Sequence, residues 1–173
     1  GGKLMGHWAS FCLRIILSTN IEVIGKENII NENKFFIASS HQSMFETFYL
    51  QTIFKAPVFI LKKELMKIPI FGWYLKKIGS ISIDRNKISK ENLDFFSKVS
   101  EILNYSNRTL IIFPQGTRSS PEERLPFKKG VSRIYEKLKI KCQPVAINSG
   151  RVWPKQGILK SNLTITISIL KPI

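Results

Sequence analysis

The chain has 173 residues, 43% of them hydrophobic, which suffices for one domain with a real core and is too short for two. That apolar share sets aside intrinsic disorder, and no apolar run reaches the roughly 18 residues that a bilayer-spanning helix needs. Twenty-seven Lys and Arg against 12 Asp and Glu give a net charge of +15, which attracts polyanions: nucleic acid, an anionic membrane face or phosphorylated substrates.

In chain order, residues 1–20 come first. Leu4, Trp8, Phe11, Cys12, Ile15 and Ile16 recur at three-and-four spacing and share one face of a predicted amphipathic helix. That face either packs on its own domain or lies in a membrane surface, which Trp8 and the basic balance suit. The chain opens on Gly1-Gly2 and stops just past a strand, so the expectation is a fragment of a longer protein. Cys12 and Cys142 are far apart, lack any CxxC or zinc spacing, and read as buried free thiols of a reducing compartment.

Beyond residue 20, short runs rich in Ile, Val and Phe read as strands: IEVIG, KFFIAS, PVFILK, SISID, TLIIF, PVAIN and LTITISIL. Helices are predicted over 44–54, 64–77, 87–104 and 128–139. The alternation implies an α/β fold, a single domain over 21–173 with a mostly parallel central sheet flanked by helices and preceded by the N-terminal amphipathic helix. Loops at the C-terminal ends of parallel strands share one edge, where such sheets bind ligands. To that edge the predicted strands deliver His41, Lys62, Arg85, the PQGTR of 114–118 and the NSG of 148–150.

Three of these loops carry chemistry. Ser43-Met44-Phe45-Glu46 is a capping box, with Ser43 as the predicted N-cap and Glu46 at the third helical position. His41 then stays in the loop before the helix, where Glu46 can reach back to it. A histidine paired with a carboxylate suits general-base catalysis, since the carboxylate fixes the tautomer and stabilises the imidazolium. A Ser43-His41-Glu46 hydrolase is disfavoured, because no G-x-S-x-G elbow is present and Ser43 serves better as the cap.

In LIIFPQGTRSS, Gly116 permits a tight turn that bares backbone N–H groups, while Thr117 and Arg118 add a hydroxyl and a planar guanidinium. These are the parts of a phosphate grip, without the spacing of a Walker A loop. Lys62 and Arg85 join Arg118 as cations at the same edge and make an anionic substrate credible. The apolar IPIFGWYL between them reads either as core or as the border of an acyl-chain groove. Residues 126–138 and 143–153 read as scaffold.

The order of these motifs resembles the glycerol-phosphate acyltransferase superfamily, specifically the PlsC-like 1-acyl-sn-glycerol-3-phosphate (lysophosphatidic acid) acyltransferases. The family's His-x-x-x-x-Asp appears as His41 to Glu46. Its second region matches Lys62, Glu64, Leu65, Pro69, Gly72, Gly79, Asp84 and Arg85. Its F-P-E-G-T-R-S reads Phe113 to Ser119, its P-V-A-x-N-S-G reads Pro144 to Gly150, and EVIGKENI at 22–29 is similar to its lead-in. The resemblance implies transfer of a fatty acyl group from acyl-CoA or acyl-carrier protein to the sn-2 hydroxyl of lysophosphatidic acid, forming phosphatidic acid on the cytoplasmic face of the inner (plasma) membrane, with an anionic membrane surface as partner.

By the same resemblance, His41 is the base and Glu46 its partner, while Lys62, Arg85, Gln115, Gly116, Thr117 and Arg118 bind substrate. No metal or cofactor is expected, since a thioester is already an activated donor. Two residues depart from the pattern: Glu46 stands where the family carries Asp, and Gln115 where it carries Glu. A different lysolipid acceptor, such as a lyso-ornithine lipid or a lysophospholipid, is the nearest alternative. A nucleic-acid-binding module is the distant one, resting on charge alone, and no nucleic acid is expected.

Overall fold

The computed structural model describes residues 1–32, 34–83, 90–105 and 108–173. Helix α1 (Gly2–Leu17) leads into β1 (Asn20–Ile24), β2 (Phe35–Ser39), α2 (Phe45–Ile53), β3 (Val58–Lys62), α3 (Phe71–Lys77) and β4 (Ile81–Ile83). Then follow α4 (Lys90–Tyr105), β5 (Leu110–Ile112), α5 (Gly130–Leu138), β6 (Lys141–Ile147) and β7 (Thr164–Ile169). The strands form one sheet in the order β1-β7-β6-β2-β5-β3-β4. Every neighbouring pair is parallel except β6 with β7. The α/β fold with a mostly parallel sheet is therefore as expected.

Alternation along the central strands divides the core. Phe35 and Ile37 of β2, Phe59 and Leu61 of β3 and Ile111 of β5 face α1, α2 and α3. Their neighbours Phe36, Val58, Ile60, Leu110 and Ile112 face α4 and α5, packing with Val99, Leu103 and Ile134. Strands buried on both faces have to be apolar throughout, which is why these runs are continuous rather than alternating. Strand β7 instead alternates half-buried Thr164, Thr166 and Ser168 with buried Ile165, Ile167 and Ile169. One buried polar side chain, Gln143, is satisfied by the Ile30 N–H at 3.1 Å and the Leu170 carbonyl at 2.5 Å.

Several expectations need correction. The run predicted as one helix over 64–77 is a 3-10 turn (Lys63–Lys67) followed by α3, because Pro69 interrupts the backbone ladder. The helix predicted over 87–104 is seen from Lys90, residues 87–89 lying outside the described residues. Helix α2 begins at Phe45 with Met44 as its N-cap, one residue later than the capping box implied. Cys142 is buried and free, its thiol pushed up by burial, whereas Cys12 is free but exposed.

Helix α1 is turned the opposite way from a core helix. Its buried positions are Gly6 and Leu13, while Leu4, Trp8, Phe11, Cys12, Ile15 and Ile16 are all exposed. The inner face is built of small residues that let α1 lie close on α2. A Cβ added to Gly6 would sit 2.6 Å from the Phe48 carbonyl oxygen and 2.5 Å from a Thr52 methyl. A Gly6→Val substitution is expected to lift α1 off α2 and to lower stability by about 1–3 kcal/mol; urea unfolding together with limited proteolysis of the first 17 residues measures it.

Candidate functional site

The edge where β2, β3, β5 and β6 all end carries the site, because parallel strands bring their C-terminal loops together. Strand β2 delivers residues 40–44, and strand β6 and the loops after β5 and β6 hold that segment in place. Ser40 gives its N–H to the Val145 carbonyl and its hydroxyl accepts from Ile147 N–H, which ties it to β6. The His41 carbonyl accepts from Ser119 N–H at 2.9 Å, which ties it to the loop after β5. The Gln42 side chain accepts from Gly150 N–H at 3.1 Å, and a Cβ on Gly150 would collide with the Gln42 Cβ at 2.9 Å.

At the centre of this clamp is the Glu46 carboxylate, which is fully buried. Its Oε1 accepts from Gln42 N–H at 2.8 Å, Ser43 N–H at 3.0 Å and the Ser149 hydroxyl at 2.5 Å. Its Oε2 accepts from Ser43 N–H and stands 3.0 Å from the Ser43 hydroxyl. Ser43 has one proton to place, on Glu46 Oε2 or on Ser149 Oγ at 3.1 Å, while its oxygen accepts from Phe45 N–H at 2.9 Å. The capping arrangement thus exists in both directions, but shifted: Ser43 bonds the N–H two residues on, and Glu46 bonds two backbone donors of the loop. A carboxylate taken from water without a cation needs such donors, since each bond lowers the penalty of burying charge.

His41 lies above this carboxylate. Its Nδ1 is buried, has no hydrogen-bond partner, and stands 3.8 Å from Glu46 Oε2. The gap is too long for a hydrogen bond and short enough for a strong charge interaction. The ring is stacked on Phe113, with centroids 4.0 Å apart and planes 17° apart, and Phe113 in turn lies parallel to Phe59. Nδ1 faces inward, and the side chain, 16% exposed, lines the adjoining cavity.

That cavity has a volume of about 520 Å³. Its walls are Met44 and Phe48 of the α2 segment, Phe59 and Leu61 of β3, Leu65 and Ile68, and Phe71, Tyr74 and Leu75 of α3. Ile68, Phe71, Tyr74 and Leu75 of the apolar stretch therefore border a groove rather than only filling the core. Where Tyr74 meets Gln51, the wall carries one polar pair, with the phenol bonded to the amide at 3.0 Å. Lys62, Gly116, Thr117 and Arg118 line it as well. Gly116 closes a turn on the Phe113 carbonyl at 2.9 Å with φ +72°, a conformation that glycine adopts without strain. Among the described residues, neither Lys62 nor Arg118 has a carboxylate partner, so their charge remains available to an anion.

Of the residues singled out from the sequence, His41, Lys62, Gly116, Thr117 and Arg118 converge on one cavity, with Glu46 directly beneath His41. Gln115 does not line it; its Oε1 is buried without a hydrogen-bond partner. Arg85 and Asp84 lie outside the described residues. Sequence reasoning missed Phe113, the stacking platform for His41, and Ser149, which it treated as scaffold. The signal for Ser149 was its place at the end of a predicted strand, but only the sheet order shows that β6 is the neighbour of β2. Among the described residues no cluster of His, Cys, Asp or Glu has the makings of a metal site. Ser149→Ala leaves the buried carboxylate one donor short, for a loss of about 1–3 kcal/mol in denaturant unfolding; Ser149→Thr, which keeps the hydroxyl, is expected to restore most of it.

A family model described as Acyltransferase matches residues 20–148, which contain every site residue named above except Ser149 and Gly150. The chain is 35% identical over 166 residues to a 1-acyl-sn-glycerol-3-phosphate acyltransferase of Saccharomyces cerevisiae, covering 93% of this chain and 54% of that protein. It is 34% identical over 166 residues to the Pseudomonas aeruginosa protein of the same name, covering 94% and 64%. The chain thus spans between half and two thirds of these relatives' length. Its fold is similar to the crystal structure of the 1-acyl-sn-glycerophosphate (LPA) acyltransferase PlsC from Thermotoga maritima, with a TM-score of 0.78 and 25% identity over 99% of this chain and 67% of that one. With the motifs, the sheet order and the family match all in agreement, this chain belongs to the acyltransferase family.

Proposed function

We propose that the chain catalyses transfer of a fatty acyl group from an acyl thioester, acyl-CoA or acyl-carrier protein, to the sn-2 hydroxyl of 1-acyl-sn-glycerol 3-phosphate, giving phosphatidic acid. The observation that carries this reading is a histidine backed by a buried carboxylate, lining an apolar cavity that Lys62 and Arg118, cations with no carboxylate partner among the described residues, also line. An acyl chain needs the first of those environments and a phosphate monoester needs the second.

The chemistry follows from the atoms. His41 Nε2 takes the proton of the acceptor hydroxyl as its oxygen forms a bond to the thioester carbonyl carbon. The C–S bond of the tetrahedral intermediate then breaks, and the departing thiolate receives a proton from the imidazolium. No enzyme nucleophile is required, because the thioester is already activated and the enzyme's part is to hold the reactants in line. As imidazolium forms, the Glu46 carboxylate 3.8 Å from Nδ1 stabilises the new charge; in free enzymes such contacts are often long and tighten once substrate binds. Arg118, Thr117, Gly116 and Lys62 hold the phosphate, with Arg85 assigned to the same task by the family motif.

Residues 21–173 form the catalytic domain in this reading, and residues 1–20 lie on the membrane that supplies the lipid. No helix among the described residues is long and apolar enough to cross a membrane. The outward apolar face of α1 suits a helix lying in an anionic surface instead. The acyl thioesters place that surface on the cytoplasmic side.

In an assay of phosphatidic acid formation from lysophosphatidic acid and acyl-CoA, His41→Ala is expected to abolish turnover; undiminished turnover would rule out the base assignment. Glu46→Gln is expected to lower kcat by about 10²-fold or more. Arg118→Ala is expected to raise the KM for the lysolipid by about tenfold or more with a smaller change in kcat, as the loss of a charge-assisted phosphate contact requires. A panel of lysolipid acceptors run beside it tests the acceptor: faster turnover of a lyso-ornithine lipid would transfer the assignment to that substrate.

A further inference from the structure

The turn joining the 3-10 segment to α3 is built in an unusual way. Pro69 is followed by Ile70 at φ +61° and ψ −54°, a region that a β-branched residue avoids. The neighbouring backbone holds it there. Gly72 N–H bonds the Ile68 carbonyl at 2.7 Å, and Tyr74 N–H bonds that of Ile70 at 2.9 Å. Gly72 packs so close that an added Cβ would lie 2.2 Å from the Met66 carbonyl oxygen. The result is that Ile70 is thrust outward, 84% exposed, beside Trp73 at 66%. Strain of this kind persists only where the surroundings enforce it, and an outlier that exposes an apolar side chain calls for a function.

Chemistry around this tip is one-sided. From Lys62 to Lys77 there are five lysines against a single acid, Glu64, and Lys77 Nζ lies 5.0 Å from the centre of the Trp73 ring. An indole flanked by ammonium groups is the arrangement that settles at a lipid headgroup boundary. The opposite side of the same element is cavity wall, formed by Phe71, Tyr74 and Leu75. Ile68 belongs to both, being exposed and lining the cavity, so apolar surface runs without a break from the tip into the cavity. The first turn of α1 adjoins the same element, with the Tyr74 hydroxyl 3.0 Å from where a Gly2 Cβ would lie.

We propose that Ile70 and Trp73 form a second membrane-inserting point, distinct from α1, which docks an anionic bilayer against the cavity mouth. Lipid then passes between bilayer and cavity along Ile68 without crossing water. This deepens the acyltransferase reading and rests on it for what the lipid does once inside; the docking itself is read independently of turnover.

The test uses vesicles of phosphatidylcholine alone and mixed with phosphatidylglycerol. In the variant Ile70→Asn with Trp73→Gln, asparagine tolerates the positive φ and neither residue lines the cavity. Partition of this variant onto the anionic vesicles is expected to fall by about tenfold or more. Its turnover of a short-chain, water-dispersed lysophosphatidic acid with acyl-CoA is expected to be unchanged. In a protein carrying Trp8→Phe and Trp153→Phe, emission from Trp73 is expected to be quenched by lipids brominated along their chains, only when the anionic vesicles are present. Unreduced partition of the double variant, or vesicle-bound protein with unquenched Trp73, would overturn the proposal. So would a Trp73 emission shift that grows with protein concentration in the absence of vesicles, which marks a second copy of the chain as the occupant. Vesicle binding and quenching in a protein that turns over neither form of the lysolipid would support the docking surface and overturn the acyltransferase reading alone.

Discussion

A carboxylate buried without a cation has to be paired with hydrogen-bond donors, and those donors have to be held still. Glu46 meets this requirement with the backbone N–H groups of Gln42 and Ser43 and with the hydroxyls of Ser43 and Ser149. Those groups come from the loop after β2 and the loop after β6, and Glu46 itself from the first turn of α2, so satisfying the charge fixes three pieces of the fold relative to one another. His41 inherits its position from that arrangement. Its carbonyl is held by Ser119, its ring is stacked on Phe113, and its Nδ1 faces the only oxygen of Glu46 that accepts no bond from Gln42 or Ser149.

The same geometry accounts for the separation of apolar and polar chemistry. The sheet ends as a platform, with β5 and β3 side by side, so that Phe113 and Phe59 form a continuous aromatic floor beneath His41. Residues of α2 and α3 give the adjoining cavity its apolar wall, and the turn at Gly116 presents Thr117 and Arg118 to the same cavity. A reacting molecule with a phosphate head and a lipid tail fits such a junction because each end finds its own solvent. His41, the proposed base, lines that cavity too.

Much of this was legible in the chain. The continuous apolar strands announced a sheet buried on both faces, and the polar residues after each strand marked the ligand edge. Ser43 and Glu46 announced a helix start with His41 just outside it. What stayed hidden depended on contacts between distant segments. Ser149 and Phe113 are ordinary residues until β6 and β5 are known to flank β2 on either side, and strand order is set by packing rather than by local pattern. The apolar stripe of α1 fitted a core helix and a membrane-facing one equally well. Glycines 2 and 6 decide it, since a backbone can approach α2 closely only through them and the stripe is thereby turned outward. The break at Pro69 was visible in the sequence, yet its effect, a strained Ile70 projecting beside Trp73, arises from the packing of Gly72 on Met66.

In the proposed reaction the histidine above the buried carboxylate moves an acyl group onto a phosphate-bearing lysolipid. Mass-spectrometric product analysis, after incubating the protein with lysophosphatidic acid and a mixture of acyl thioesters, tests it most directly. Phosphatidic acid carrying the donor's acyl chain at sn-2 is expected, with one equivalent of free thiol released for each lipid formed. Thiol release accompanied by free fatty acid and no new phosphatidic acid would contradict it.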